Sequence, residues 1–232
     1  MDADYYDQYW TDQGYGPEGD LAETTREVLE RLVTAGTSIV DVGCGDGRAV
    51  GLWARDRGCD YLGLDVAETA VSKTRAHGLR AERIDDANAL PLASGGTPVV
   101  TAIEVLEHLV DPLAASVEIR RVLAPGGWFI ASVPNAAYWI RRVELGLLGR
   151  FNPYGHDASV SEPWIDPHVR FFTRATLRAM TERAGFTDVR VTAGAHPVFS
   201  VRTRVEALPL YRALMKAWPS MLAPALLVTA RK

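Results

Sequence analysis

The stretch Ser38-Ile-Val-Asp-Val-Gly-Cys-Gly-Asp-Gly47 decides the fold of this chain. Its first five residues are mostly apolar, and a short run of this kind predicts a buried β-strand. The three glycines that follow allow a sharp turn and a close approach of the backbone to a ligand, because they carry no Cβ atom. A helix that starts after such a turn presents free N–H groups. The sequence therefore predicts a strand, a ligand-binding loop and a helix in succession.

Segments with the patterns of strands and helices alternate on both sides of this stretch. Strands are predicted at residues 38–42, 61–64, 79–84, 98–103, 128–133, 189–192 and 225–230. Helices are predicted at residues 21–33, 68–76, 112–123, 174–184 and 204–216, with one more that ends near residue 57. Such alternation implies βαβ units, right-handed crossovers and a mostly parallel sheet. We expect a doubly wound α/β fold with a Rossmann-like, seven-stranded sheet that ends in an antiparallel hairpin.

All 232 residues are expected to form a single domain, since typical domains have about 100 to 200 residues. The domain divides into an N-terminal arm and helix (1–36), a cofactor-binding core (37–134), an inserted lid (135–172) and C-terminal helices with the hairpin (173–232). The lid is predicted because residues 135–167 lose periodicity, gather Gly, Pro and aromatic residues, and exceed the length of an ordinary connection.

Composition narrows the functional classes. A net charge of −4 and an isoelectric point near 5.8 do not suit a surface that neutralises a phosphate backbone, so a nucleic-acid substrate is disfavoured. Cys44 and Cys59 are too few for a disulfide framework and fit a reducing compartment. The apolar region 218–228 contains two prolines and is too short to span a membrane. With an N-terminus that lacks the pattern of a signal peptide, we expect a cytoplasmic protein.

Two residues near the glycine loop narrow the choice of ligand. Arg48 stands where a dinucleotide-binding fingerprint would have its third glycine, which argues against NAD. Asp65 ends the second strand, where a carboxylate can accept hydrogen bonds from two ribose hydroxyls. Aspartate is also favoured at helix N-caps, so this position alone leaves both roles open.

Taken together, four motifs resemble class I S-adenosylmethionine (SAM)-dependent methyltransferases in order and spacing. They are Asp41-Val-Gly-Cys-Gly-Asp-Gly47, Asp65, Asp85-Asp-Ala-Asn-Ala-Leu-Pro91 and Glu104-Val-Leu-Glu-His-Leu109. The resemblance covers about residues 32–186 and implies SAM as the cofactor. The residues it implies for cofactor binding are Asp41, Gly43, Cys44, Gly45, Gly47, Asp65, Val66, Asp86, Ala87, Ile103 and Glu104.

The resemblance also implies individual roles for these residues. Asp41 would orient the loop and the methionine part of SAM, and Asp65 would hold the ribose diol. Asp86 would accept from the adenine amino group, next to a backbone contact at Ala87. Ile103 and Glu104 would line the path to the sulfonium.

The catalytic candidates are Glu104, Glu107, His108 and His168. The first three stand at i, i+3 and i+4, which become neighbours if the end of the strand turns helically. A similar E-x-x-E-H segment in metal-dependent members of the superfamily joins a further His to hold a divalent cation, so these four residues are candidate ligands for Mg²⁺ or another divalent ion. A metal-free base or orienting group, and a purely structural role, are the alternatives.

The expected reaction is methyl transfer to a small-molecule acceptor at a hydroxyl oxygen of a phenol, catechol or sugar. The motifs recognise SAM and not the nucleophile, so nitrogen and carbon acceptors remain alternatives.

The segment Ser132-Val-Pro-Asn135 also resembles the MetW-like proteins, which implies a rival role as partner of a biosynthetic acyltransferase. Apolar residues at 203–222 either pack on the sheet edge, form the contact of a homodimer or touch a membrane surface. Aromatic residues of the arm, among them Tyr6 and Trp10, either close the site or pack the arm onto the sheet.

Overall fold

Seven strands form one sheet in the computed structural model, which describes residues 3–12, 21–150, 167–194 and 209–232. In chain order they are β1 (Ser38–Val42), β2 (Asp60–Asp65), β3 (Ala81–Arg83), β4 (Thr97–Ile103), β5 (Leu123–Pro134), β6 (Thr187–Gly194) and β7 (Ala225–Arg231). Across the sheet the order is β3-β2-β1-β4-β5-β7-β6. The first five strands in this order pair in parallel, and β7 runs antiparallel to both β5 and β6. The predicted Rossmann-like sheet and C-terminal antiparallel hairpin are confirmed.

The described helices are α1 (Ala3–Asp12), α2 (Glu23–Leu32), α3 (Val50–Asp56), α4 (Glu68–Ala76), α5 (Pro112–Val122), α6 (Trp139–Leu148), α7 (Arg174–Arg183), α8 (Pro209–Ala217) and α9 (Pro219–Leu222). A short 3₁₀ turn, Leu106–His108, follows β4. The bounds of α2, α4, α5 and α7 agree with the sequence prediction to within two residues at each end, whereas α1 was not predicted. Among the described helices, none combines the length and the apolar character that crossing a bilayer requires.

Two apolar layers cover the two faces of the sheet. Adjacent residues of one strand belong to different layers, as Val99 and Val100 of β4 do, because successive side chains of a strand point to opposite faces. Val100 packs in the layer that contains Phe129, and Val99 packs in the layer that contains Leu29 of α2. Burial on both faces explains why these strands read as continuous apolar runs in the sequence.

The order in which successive strands are added to the sheet reverses at β1. This strand pairs with β2 on one side and with β4 on the other, so the connections on its two sides lead away in opposite directions. In open α/β sheets a crevice forms at this point, beyond the carboxyl ends of the strands. Three features lie at these carboxyl ends: the glycine loop, which follows Val42, and the residues Asp65 and Glu104.

The predicted lid begins as an ordered segment. The expectation that it lacks regular structure is wrong for residues 139–148, which form α6 and end at Gly149 with a left-handed φ of 60°. No residue of α6 is buried, but its apolar residues Trp139, Val143 and Leu147 recur at helical spacing, so the sequence does carry a signal for this helix. Asn135 anchors the start of this segment, because its Nδ2 donates to the carbonyl of Ala223 at 2.8 Å. Residues 151–166 lie outside the described part of the chain.

Asp41 joins the three central strands through hydrogen bonds. Its Oδ2 accepts from the hydroxyl of Tyr61 at 2.9 Å, and its Oδ1 accepts from the hydroxyl of Thr101 at 2.6 Å. Burial raises the pKa of this carboxyl from 3.8 to about 7, although the two hydroxyl donors act in the opposite direction. Asp41 is therefore partly protonated near neutral pH.

We expect Asp41→Asn to flatten the pH dependence of stability. The pKa of Asp41 is higher in the folded protein than in the unfolded chain, so its contribution is fully present below about pH 4 and is lost as the pH rises to about 7. An amide is neutral at both ends of this range and bonds to both hydroxyls. Urea denaturation across the range should show a steeper fall in the free energy of unfolding for the parent, by at most about 1.4 kcal/mol per pH unit. Parallel curves for parent and variant would contradict the assignment.

Candidate functional site

Asp65 connects the glycine loop to the start of α4. Its Oδ2 accepts from the backbone N–H of Gly45 at 2.9 Å, and its Oδ1 accepts from the N–H of Ala67 at 3.0 Å. Burial raises the pKa of this carboxyl, and the two backbone donors partly offset that effect. Each carboxylate oxygen has a further lone pair, so Asp65 can accept from two more donors.

The glycine loop depends on its glycines for two reasons. Gly43, Gly45 and Gly47 have φ angles of 69°, 56° and 79°, in the left-handed region that other residues rarely adopt. There is also no room for side chains, since a Cβ at Gly43 would lie 2.4 Å from Cγ2 of Val105. Cys44 is buried in the layer below the loop, so its side chain packs against the sheet.

Beside this loop lies a pocket of about 140 Å³. It is lined by Val66, Asp86, Ala87, Asn88, Leu109 and Val110. Val66, Asp86 and Ala87 are cofactor residues implied by the resemblance, and the structure brings them together. Asp86 is exposed at the pocket, where Oδ1 accepts from the backbone N–H of Asn88 at 2.9 Å. A pocket whose lining combines aliphatic residues with a carboxylate suits a planar ring that carries an amino group.

The sequence did not indicate Asn88, Leu109 or Val110 as lining residues. Leu109 and Val110 follow the E-x-x-E-H segment directly, and that position is the one signal that could have pointed to them. Asn88 lies within the quoted motif 85–91 and had been given no role.

Glu104 adopts an unusual backbone conformation at the end of β4. Its φ of 56° lies in the left-handed region, which is uncommon for a residue with a side chain and is found at functional sites. Two contacts with Ser132 of β5 hold it there. Oε1 of Glu104 accepts from the Ser132 hydroxyl at 2.6 Å, and the backbone N–H of Glu104 donates to the Ser132 carbonyl at 3.0 Å. Ser132 is a site residue that the sequence did not reveal.

Glu107 has a buried carboxylate without a hydrogen-bond partner. Its exposed fraction is 1%, and neither carboxylate oxygen has a hydrogen-bond partner in the part of the chain that the structure describes, although Nε2 of His108 lies 4.0 Å from Oε1. Burial raises the pKa of Glu107 well above its ordinary value, and the nearby charge of Glu104 adds to this effect. Buried polar groups are normally paired, so this carboxylate is a candidate for binding a ligand.

The segment that carries His168 is fixed to the same turn. The backbone N–H groups of Val169 and Arg170 donate to the carbonyl of Glu107 at 2.9 and 3.0 Å. As a result the rings of His108 and His168 stack with centroids 4.4 Å apart.

Three of the four catalytic candidates meet at this point. Potential ligand atoms of Glu107, His108 and His168 all lie within 4.8 Å of one another. Glu104 is not a member of this group, because its backbone does not continue the helical turn and one of its oxygens bonds to Ser132. The group of three can take up a proton, donate hydrogen bonds or bind a cation.

Comparison with known proteins places these features in a family. A family model described as "Methyltransferase domain" matches residues 18–191. A probable S-adenosylmethionine-dependent methyltransferase of Mycolicibacterium smegmatis is 34% identical over 170 residues, which cover 72% of this chain and 59% of the relative. A ubiquinone biosynthesis O-methyltransferase of Idiomarina loihiensis is 30% identical over 162 residues, which cover 67% of this chain and 64% of the relative. The chain thus spans about three fifths of the length of these curated relatives.

Solved structures agree with the fold. The complex of the Haloferax volcanii Trm112 methyltransferase activator with a methyltransferase contains a chain that matches with a TM-score of 0.69 and 21% identity, covering 100% of this chain and 97% of that one. At this identity the match supports the architecture alone. The family model covers more than half of the chain, and the motifs that it contains form the loop and pocket described above. The chain therefore belongs to the class I S-adenosylmethionine-dependent methyltransferases.

Proposed function

We propose that this protein transfers the methyl group of SAM to a hydroxyl oxygen of a small phenol, catechol or sugar. The observation that carries the proposal is the buried, unpartnered carboxylate of Glu107 beside His108 and His168. It lies at the same edge of the sheet as the glycine loop, so an acceptor bound there would face the cofactor. The relatives named ubiquinone biosynthesis O-methyltransferases, including that of Thiobacillus denitrificans at 28% identity, favour oxygen as the methylated atom.

The cofactor would lie along the carboxyl ends of β1, β2 and β4. The glycine loop would pass beneath its methionine part, and the free lone pairs of Asp65 would accept from the two ribose hydroxyls. Val66 and Ala87 would contact the adenine, and Asp86 would accept from its amino group. Asp41 would act by fixing the strand under the loop, because its carboxylate bonds to side chains of the two neighbouring strands.

Methyl transfer requires alignment of the acceptor and a destination for one proton. A lone pair of the acceptor oxygen attacks the methyl carbon in line with the carbon–sulfur bond. The new oxygen–carbon bond forms as the carbon–sulfur bond breaks, and sulfur keeps the electron pair to give S-adenosylhomocysteine. The hydroxyl proton passes to Glu107 or to one of the two imidazoles, which are within reach of a single acceptor.

A divalent cation fits the same group of residues. Glu107, His108 and His168 offer one carboxylate and two imidazoles, and a cation would provide the missing partner of the buried carboxylate. The two imidazoles suit Fe²⁺ or Zn²⁺, and the carboxylate also suits Mn²⁺ or Mg²⁺, which prefer oxygen ligands. When bound, such a cation would lower the pKa of an acceptor hydroxyl and hold a second adjacent oxygen.

A homodimer through residues 203–222 remains our prediction. Leu210 of α8 is 73% exposed and Trp218 is 65% exposed, and a contiguous apolar patch on a protein surface is often an interaction site. Residues 203–208 lie outside the described part of the chain. Sedimentation of the parent and of Leu210→Ser would measure this association.

We expect Asp65→Ala to weaken the binding of S-adenosylhomocysteine more than tenfold, because two charge-assisted hydrogen bonds to the ribose would be lost. The 2′-deoxy analogue of this ligand makes one bond fewer, so the same substitution should weaken its binding less. Calorimetric titration of both ligands measures the difference. Asp60→Ala, at the exposed amino end of the same strand, serves as the control. Equal losses for the two ligands would show that Asp65 acts only by holding the loop.

Calorimetric titration of Mn²⁺ into protein saturated with S-adenosylhomocysteine tests the cation site. We expect binding by the parent and at least a tenfold loss of affinity in Glu107→Gln and in His168→Ala, because each removes a ligand. Glu82→Gln and His77→Ala, at exposed positions, should bind as the parent does. Glu107→Gln should fold normally, since an amide has the size and shape of the carboxyl and brings no charge that the core must bury.

The same preparations test the reaction. Formation of S-adenosylhomocysteine from SAM is measured with catechols, single phenols, sugars and amines. Cation binding in the parent together with turnover of catechols supports the full proposal. Turnover of hydroxyl acceptors without cation binding would show that a base, and not a cation, activates the acceptor hydroxyl. Turnover of amines alone, or bound SAM without any turnover, would contradict methyl transfer to oxygen, and the second outcome would favour the partner role of MetW-like proteins.

A further inference from the structure

The N-terminal helix α1 is fixed across the cofactor half of the site. Oδ1 of Asp7 accepts from the backbone N–H of Thr69 at 2.8 Å, in the first turn of α4. One turn of α1 further on, the Trp10 carbonyl accepts from the ammonium group of Lys73, which also belongs to α4. The Trp10 indole covers Gly45, since a Cβ built on this glycine would lie 2.4 Å from Cη2 of the ring. Three separate contacts therefore hold α1 against the loop.

Tyr6 precedes Trp10 by four residues and shares its face of the helix. Its ring packs against the cluster of Trp10, Ala67 and Ala70 on the cofactor side. It also packs against the main core and meets the His108 ring edge to face, with centroids 5.9 Å apart. Tyr6 is thus the residue of α1 that reaches both halves of the site.

The ring of Tyr6 lies between the two proposed halves of the site. It meets His108, next to Glu107, on one side and packs against Ala67, two residues after Asp65, on the other. Burial is the main cause that raises the pKa of this phenol, and the charges of Tyr5, Glu107 and Asp65 add to it. A tyrosine hydroxyl carries a proton that it can donate in a hydrogen bond. The ring is therefore near the boundary where donor and acceptor would meet.

We propose that Tyr6 is a further catalytic residue, whose hydroxyl donates a hydrogen bond to an oxygen of the acceptor beside Glu107 and His108. This inference rests on the proposed function and deepens it. In its role, Tyr6 changes no covalent bond and takes up no proton. Its hydrogen bond would hold the acceptor between Glu107, which contacts the reacting hydroxyl, and the cofactor, which binds at Asp65. An acceptor with a second oxygen next to the reacting hydroxyl can use both contacts, which favours catechols and vicinal diols over single hydroxyls.

The anchoring of α1 supports this role. An aromatic residue on a loosely attached arm would lose much of its hydrogen-bond energy to the ordering of the arm. The contacts of Asp7, Trp10 and Lys73 remove that cost before the acceptor binds. Tyr5 and Tyr9 belong to the same helix and are 38% and 36% exposed, so they differ from Tyr6 in burial and position while sharing its chemistry.

The test compares Tyr6→Phe with Tyr9→Phe in protein saturated with S-adenosylhomocysteine. The probes are 4-nitrocatechol and 4-nitrophenol, whose absorbance reports binding without turnover. We expect Tyr6→Phe to weaken 4-nitrocatechol binding by roughly threefold to tenfold, the effect of one lost hydrogen bond, and to change 4-nitrophenol binding less. Tyr9→Phe should bind both probes as the parent does. The affinity for S-adenosylhomocysteine and the thermal midpoint should be the same in both variants, because phenylalanine keeps the ring contact with His108.

Three outcomes would overturn the inference. Equal binding of 4-nitrocatechol by the parent and Tyr6→Phe would exclude the hydrogen bond while leaving methyl transfer to oxygen intact. Losses in thermal midpoint or cofactor affinity that account for the whole effect would show that Tyr6 only supports the fold. A parent that binds S-adenosylhomocysteine but neither probe would remove the acceptor site itself, and the proposed function would fail with the inference.

Discussion

The carboxylate of Asp65 is the contact on which the geometry of the site depends. It accepts from Gly45 in the loop after β1 and from Ala67 at the start of α4, so it sets the distance between two consecutive βα units. Both N–H groups are buried and would otherwise lack an acceptor, which is costly in a protein interior. The position of α1 depends on these two bonds of Asp65. Trp10 of α1 packs on Gly45, and Asp7 accepts from the backbone N–H of Thr69, two residues after Ala67.

The buried carboxylate of the proposed acceptor half has a cost in stability. An ionised carboxylate without a partner is expensive to bury, and the raised pKa of Glu107 shows how the chain limits this cost. The backbone of the same residue stabilises the site, since its carbonyl accepts from Val169 and Arg170. The residue whose side chain destabilises the core thus holds the segment that brings His168 to His108. A buried carboxylate with a strongly raised pKa is expected where ligand binding, and not core packing, requires that residue.

Local patterns made the fold predictable and indicated the proposed cofactor half. The apolar strands, the glycine loop and Asp65 lie within about 30 residues of sequence and follow from periodicity and turn chemistry. Ser132 could not be found in this way, because its bond to Glu104 depends on the register between β4 and β5. Tyr6 could be noticed as one ring in an aromatic cluster, but its contact with His108 spans about 100 residues. The helix α6 was missed although its apolar residues recur at helical spacing, because the Gly, Pro and aromatic residues of 135–167 led to a prediction of an irregular lid for the whole segment.

The two halves of the site differ in how they are encoded. The proposed cofactor half comes from one continuous stretch, residues 41–87, with bonds that stay within neighbouring βα units. The proposed acceptor half draws on α1, on the turn at Glu107 and on the segment at His168, which are joined by contacts across the sheet edge. A substitution of Tyr6 or near His168 can therefore reshape the proposed acceptor half while the carboxylate of Asp65 keeps its two backbone hydrogen bonds. This separation explains physically why motifs that specify the cofactor do not specify the acceptor, and why the acceptor must be inferred from non-local geometry.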